Sequence, residues 1–135
     1  MPSPEATLLE RLVRRVDISA LRADVRREAL ACSLTGRRLS DFLVAVNEIV
    51  ANAVVHGGGS GRLRLWRQGD DLLCEVTDNG PGFDHDRIRG PRPGPLAPGG
   101  RGLWLAEMLV DALSISDRST GTTVRLRITC AASDA

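Results

Sequence analysis

Two short stretches, Arg62-Leu63-Arg64-Leu65-Trp66-Arg67 and Leu72-Leu73-Cys74-Glu75-Val76-Thr77, alternate with period two around Gly69-Asp70-Asp71. That period marks strands with one face buried, and a Gly-Asp connection supplies good hairpin chemistry. The pair predicts antiparallel neighbours and fixes which side chains point inward, because side chains alternate across a strand. Cys74, Val76 and Asp78 share a parity, so a carboxylate ends the row facing the core. Such a group is costly there unless a donor meets it. The run Thr77-Asp78-Asn79-Gly80-Pro81-Gly82-Phe83 then brings two glycines, which let backbone approach a flat ligand closely. Taken by itself, the run also suits an ordinary hairpin turn or a calcium loop.

The other elements follow from punctuation and period. Residues 1 to 6 read as a loose end, and Thr7 to Val16 suits either a strand or a short helix. From Ser19, Leu21, Val25, Ala29 and Leu30 recur at helical spacing with Arg22, Arg26 and Arg27 opposite, predicting an amphipathic helix ending near Thr35-Gly36. Ser40-Asp41 suits the N-cap of a more apolar helix, Phe42 to His56, stopped by Gly57-Gly58-Gly59. Asp84 to Gly99 carries Pro91, Pro93, Pro95 and Pro98, a long loop that reads as a lid. Leu103 to Ala112 reads as a helix with Leu105, Met108, Leu109 and Ala112 on one stripe. Leu113 to Arg118 and Thr122 to Thr129 form a second alternating pair turning at Ser119-Thr120-Gly121.

The chain's 135 residues make one domain, and 42% hydrophobic with 26% charged residues is ordinary globular composition. No apolar run reaches the ~20 residues that span a bilayer, and no signal-peptide pattern opens the chain, so no membrane association and a cytoplasmic protein are expected. Cys32, Cys74 and Cys130 are widely separated and outside any Cys-x-x-Cys spacing, and they read as small buried apolar residues. A net charge of +1 and four aromatics, Phe42, Trp66, Phe83 and Trp104, give no footprint for nucleic acid. All 18 basic residues are arginine. Without lysine there is no Walker A loop, no conventional protein-kinase strand lysine and no pyridoxal Schiff base. A nucleotide must be held another way.

Two constellations suggest how. Glu48 and Asn52 lie one turn apart, with His56 continuing the row, on a helix otherwise apolar from Asn47 onward. Such a narrow polar stripe reads as the wall of a site. Glu48 can take a proton, and Asn52 can offer a hard carbonyl oxygen to Mg²⁺. Gly99-Gly100-Arg101-Gly102 precedes a helix, whose first N–H groups lack intrahelical partners and suit a phosphate. Arg101 serves either as a charge-assisted phosphate contact or as a solvated surface residue. Thr122, just after a turn, matters only if its strand lies beside Asp78.

In order, Glu48-x-x-x-Asn52, Asp78-x-Gly80-x-Gly82, Gly100-x-Gly102-Leu103 and Gly121-Thr122 closely resemble the GHKL (Bergerat-fold) ATP-binding superfamily of gyrase B, the heat-shock chaperone ATPase, mismatch-repair ATPases and histidine kinases. The resemblance spans roughly residues 15 to 130. It implies an α/β two-layer sandwich, a mixed and mainly antiparallel sheet with helices on one face, and ATP held beneath a lid at about 84 to 99. Asn47-Glu48 through His56-Gly57, with Gly100-Arg101-Gly102-Leu103-Trp104-Leu105, looks most like the anti-sigma-factor serine kinases of the RsbW type. By that likeness Glu48 is the general base, Asn52 the Mg²⁺ ligand and Asp78 the acceptor for the adenine amino group. Gly80 and Gly82 give the base room, Gly100, Arg101, Gly102 and Leu103 belong to the phosphate cradle, and Thr122 supports the adenine end. The lid is shorter and richer in proline than in the larger ATPases. His85 lies in a loop and no phosphoacceptor helix precedes the domain, so a complete histidine kinase is not expected.

The function these readings imply is an ATP- and Mg²⁺-dependent serine/threonine kinase that phosphorylates a STAS-type anti-anti-sigma protein and sequesters a sigma factor, with a homodimer left open. Two alternatives stand beside it: a nucleotide-binding switch that transfers no phosphate, and a detached histidine-kinase catalytic domain.

Overall fold

Strand β1 (Glu5–Arg14) leads through a 3₁₀ turn (Arg15–Asp17) to helices α1 (Ile18–Ala31) and α2 (Gly36–His56). Hairpin β2 (Ser60–Gln68) and β3 (Asp71–Asp78) follows, then α3 (Gly100–Leu109) and hairpin β4 (Ala112–Arg118) and β5 (Gly121–Thr129). These elements come from a computed structural model that describes residues 5–56, 59–78, 100–118 and 121–130. The five strands make one sheet, order β1-β2-β3-β5-β4, and every described pairing is antiparallel. α2 packs on β1, β2, β3 and β5, α1 packs on α2 and β1, and α3 packs on α2 and β4. This is the expected α/β sandwich.

Strand parity places the core. Leu63 and Leu65 of β2, Leu72, Cys74 and Val76 of β3, and Val124, Leu126 and Ile128 of β5 are buried toward the helices. α2 answers with Leu39, Phe42, Leu43, Val46, Ile49, Val50 and Ala53, a stripe at helical spacing. On the opposite sheet face Trp66 is roofed by the guanidinium groups of Arg64 at 4.4 Å and Arg125 at 5.1 Å from its ring centre, which leaves it 1% exposed. The three cysteines are free and buried. Burial, then the neighbouring Glu75, pushes the Cys74 thiol far up, and burial, then Cys32, lifts Cys130 to about 11. All three behave as small apolar residues, as expected.

Four boundaries differ from the sequence reading. Thr7 to Val16, ambiguous by pattern, is largely the edge strand β1, which begins at Glu5 within the expected loose end. α1 stops at Ala31 rather than near Gly36. There Ser33 adopts φ 70°, its N–H reaches the Leu30 carbonyl at 3.0 Å, and that of Leu34 reaches Ala29 at 3.1 Å. That is a Schellman stop with serine where glycine is usual, sealed by buried Leu34 against Ala29. α2 starts at Gly36, so Ser40 and Asp41 lie inside it; the first helical bond runs from Leu39 N–H to the Thr35 carbonyl at 3.3 Å. Burial of Leu39 extends the apolar stripe one turn earlier than the serine suggested. α3 starts at Gly100 and ends at Leu109; Met108 is 62% exposed and Ala112 opens β4, so of the stripe expected there Leu109 packs against the core, and Leu103 and Ala106 are fully buried.

An anchor at the sheet's far end holds α2 in place. Arg38 donates to Asp111 Oδ2 at 3.0 Å and to the Thr129 carbonyl at 2.9 Å, while Thr129 N–H donates to the same carboxylate oxygen at 2.7 Å. Partial burial works to raise the Asp111 carboxyl, but the Thr129 N–H and the Arg38 guanidinium outweigh it and hold it below its usual value. A depressed carboxylate adds stability above the unfolded value, near ~3.9, and that increment is lost as pH falls through the lower folded value. The carboxylate is 34% exposed, so solvent screening limits the gain to about 1 kcal/mol. Asp111→Asn is expected to remove this increment in urea unfolding at pH 7 and to flatten the loss of stability on acidification below pH ~4. An unchanged acid limb would contradict the anchor.

Candidate functional site

Asp78 closes β3 on its helix-facing side and is 2% exposed. The β3–β5 register pairs Thr77 with Thr123, so Asp78 falls beside Thr122, whose backbone N–H donates to Asp78 Oδ1 at 3.4 Å. The donor that a buried carboxylate requires is thus supplied by the neighbouring strand. Thr122 is itself 1% exposed. On the other face, the Thr77 and Thr123 hydroxyls share a hydrogen bond of 2.8 Å, pinning both strand ends at this level.

Across the β2–β3 ladder Asp78 is paired with Gly61. A β-carbon at Gly61 would lie 3.1 Å from the Ala53 methyl of α2, so this turn of the helix rests directly on the strand ends. Asn52 precedes Ala53 in that turn and is 6% exposed. Its Nδ2 donates to the Glu48 backbone carbonyl at 2.8 Å, which orients the carboxamide and leaves Oδ1 as its accepting atom. The Glu48 side chain is half-buried one turn earlier. His56 ends α2, and its side chain lies outside the described residues.

Gly100, Arg101 and Gly102 form the first turn of α3, where N–H groups lack intrahelical acceptors and carry the positive end of the helix dipole. Leu103, 2% exposed, fastens that turn to the core, while the Arg101 side chain lies outside the described residues. Gly80, Gly82 and the expected lid at 84–99 also lie outside them. The structure therefore joins Asp78, Thr122 and the Asn52 turn. Gly61 and the threonine pair were missed by the sequence reading; a glycine inside an alternating strand was the available signal for Gly61. Among the described residues no cluster of three or more His, Cys, Asp or Glu forms a metal cage, and no helix is long and apolar enough to cross a membrane.

Comparison with known proteins gives this arrangement a family. The histidine kinase-like ATPase domain family matches residues 11–128. An anti-sigma F factor of Clostridium botulinum (strain Eklund 17B / Type B) is 31% identical over 100 residues, covering 66% of this chain and 69% of the relative. The crystal structure of the RsbU and RsbW domains of a Mycobacterium tuberculosis protein superposes with TM-score 0.68 at 23% identity, covering 95% of this chain and 32% of that one. The chain thus spans about a third of that two-domain structure. A mycobacterial sensor histidine kinase, MprB, gives TM-score 0.56 at 18% identity, covering 90% of this chain and 97% of that one. The chain belongs to the histidine kinase-like ATPase (GHKL) family, in its RsbW-like anti-sigma branch.

Proposed function

We propose that this domain is an ATP- and Mg²⁺-dependent protein serine/threonine kinase that phosphorylates a STAS-type anti-anti-sigma partner and also binds a sigma factor. The observation that carries the reading is Asp78, a carboxylate buried at a strand end, met by the Thr122 N–H and bordered by the Asn52 turn. A carboxylate buried at a strand end suits the adenine amino group, since a hydrogen bond to an ionised acceptor is a strong one. Gly80 and Gly82 follow it in sequence as the positions where backbone can approach the base. Gly100, Arg101 and Gly102 would hold the phosphates through the first turn of α3.

Asn52 Oδ1 is the hard oxygen suited to Mg²⁺, an ion that usually takes one or two protein ligands and completes its shell with phosphate and water. When bound, it supplies charge neutralisation at the phosphates. Glu48 accepts the proton of the partner's serine or threonine hydroxyl. As that oxygen bonds to the γ-phosphorus, the bond from phosphorus to the bridging oxygen breaks and ADP departs.

The likeness to an anti-sigma F factor supports the choice of partners. Incubating the protein with γ-labelled ATP and candidate STAS proteins is expected to give base-labile, acid-stable phosphate on the partner. Acid-labile, base-stable label would select the histidine-kinase alternative, and no transfer to any STAS protein would count against the kinase reading.

A further inference from the structure

We propose that Gly61 is a positioning residue for the nucleotide site: its missing side chain sets how closely the Asn52 turn of α2 approaches the Asp78 end of β3. The inference rests on the nucleotide-site reading above. Gly61 lies in β2, an interior strand, where glycine weakens the sheet and needs a local reason. Its φ is not among the positive values, so the reason is space and not backbone freedom.

A methyl group there would lie 3.1 Å from Ala53 Cβ, 3.1 Å from Val76 Cγ1 and 3.4 Å from the Thr77 carbonyl oxygen. Carbon atoms pack best at ~3.5–4.0 Å, so the first two contacts are too short. Val76 Cγ1 is a branch of one side chain, so a shift there is local to β3. Ala53 Cβ is bonded to the helix backbone and moves only with α2. Ala53 neighbours Asn52, and Gly61 is the ladder partner of Asp78. The displacement therefore opens the gap between two proposed ligand-facing residues by a few tenths of an ångström, comparable with the ~0.5 Å within which binding constellations must be held, so the expected loss of affinity is modest.

The test is calorimetric titration of a non-hydrolysable ATP analogue with Mg²⁺ into wild type, Gly61→Ala, Ala53→Gly and the double variant. Gly61→Ala is expected to bind roughly three- to tenfold more weakly. In the double variant the helix can settle back, so affinity should return toward wild type. Ala53→Gly alone should melt lower than wild type, because glycine in a helix interior is destabilising, yet keep near-wild-type affinity. Stability lost without affinity in Ala53→Gly, beside affinity lost in Gly61→Ala and restored in the double variant, is what a purely structural role would not produce. Wild-type affinity in Gly61→Ala, or affinity that tracks melting temperature through all variants, would overturn the inference alone. A wild type that binds no nucleotide would overturn both this inference and the site reading. Should Gly61→Ala fail to fold, near-wild-type binding by the double variant supports the proposal, and lost binding by a folded double variant overturns it.

Discussion

Asp78→Asn is expected to weaken ATP binding by about 1.5–3 kcal/mol, roughly ten- to hundredfold, while the domain stays folded. On the proposed reading the two effects separate because the carboxylate serves both the protein and the nucleotide. Toward the protein, Oδ1 accepts from the Thr122 N–H, and an asparagine oxygen can take over that bond in nearly the same shape. Toward the nucleotide, the substitution removes the negative charge and turns one accepting atom into a donor that faces the adenine amine's own hydrogens. Removing a charge that is 2% exposed also relieves desolvation, so urea unfolding should show stability held or raised. Calorimetry with ATP decides the matter: unchanged affinity would take Asp78 out of the site.

Glu48→Gln should act on the other half of the reaction. Loss of a general base typically costs 10²–10⁴-fold in turnover, so phosphotransfer to the partner should fall by about that factor. Nucleotide affinity should stay close to wild type. The structural reason is that Asn52 is held by the backbone carbonyl of Glu48 and not by its side chain, so glutamine leaves that bond intact. Single-turnover transfer measured beside ATP binding separates the two. Wild-type transfer by Glu48→Gln would place the base elsewhere. If Glu48→Ala preserves partner regulation while Asn52→Ala abolishes it, the domain is a nucleotide switch.

What could be read from the residues was mostly periodic. The two alternating hairpins are present, and the parity argument placed Asp78 on the core-facing side of β3, where it lies. The helix ends were less legible because tertiary packing and local backbone geometry decided them. Ser33 turns left-handed where a sequence reader waits for glycine, and the chain reverses three residues early. Gly100 and Gly102 are helical despite poor propensity, in a helix whose Leu103 and Ala106 are buried in the core. The pairing of Asp78 with Thr122 was reached through the order of motifs and a family likeness; no local pattern near either residue announces it. Gly61 carried only the weak signal of a glycine in an alternating strand, because its demand for space comes from Ala53, on another element.

The β3–β5 pairing also bears on how much the intervening chain can vary. β3 ends at Asp78, and β5, after α3 and β4, brings Thr122 beside it 44 positions later, with the Thr77–Thr123 hydroxyl bond one position away. The β3–β5 ladder and its hydroxyl clamp hold Asp78 beside Thr122 through bonds made by residues of these two strands alone. A change of chain length elsewhere that spares both strands therefore leaves the Asp78–Thr122 contact in register, because strand pairing and not the connecting chain fixes it.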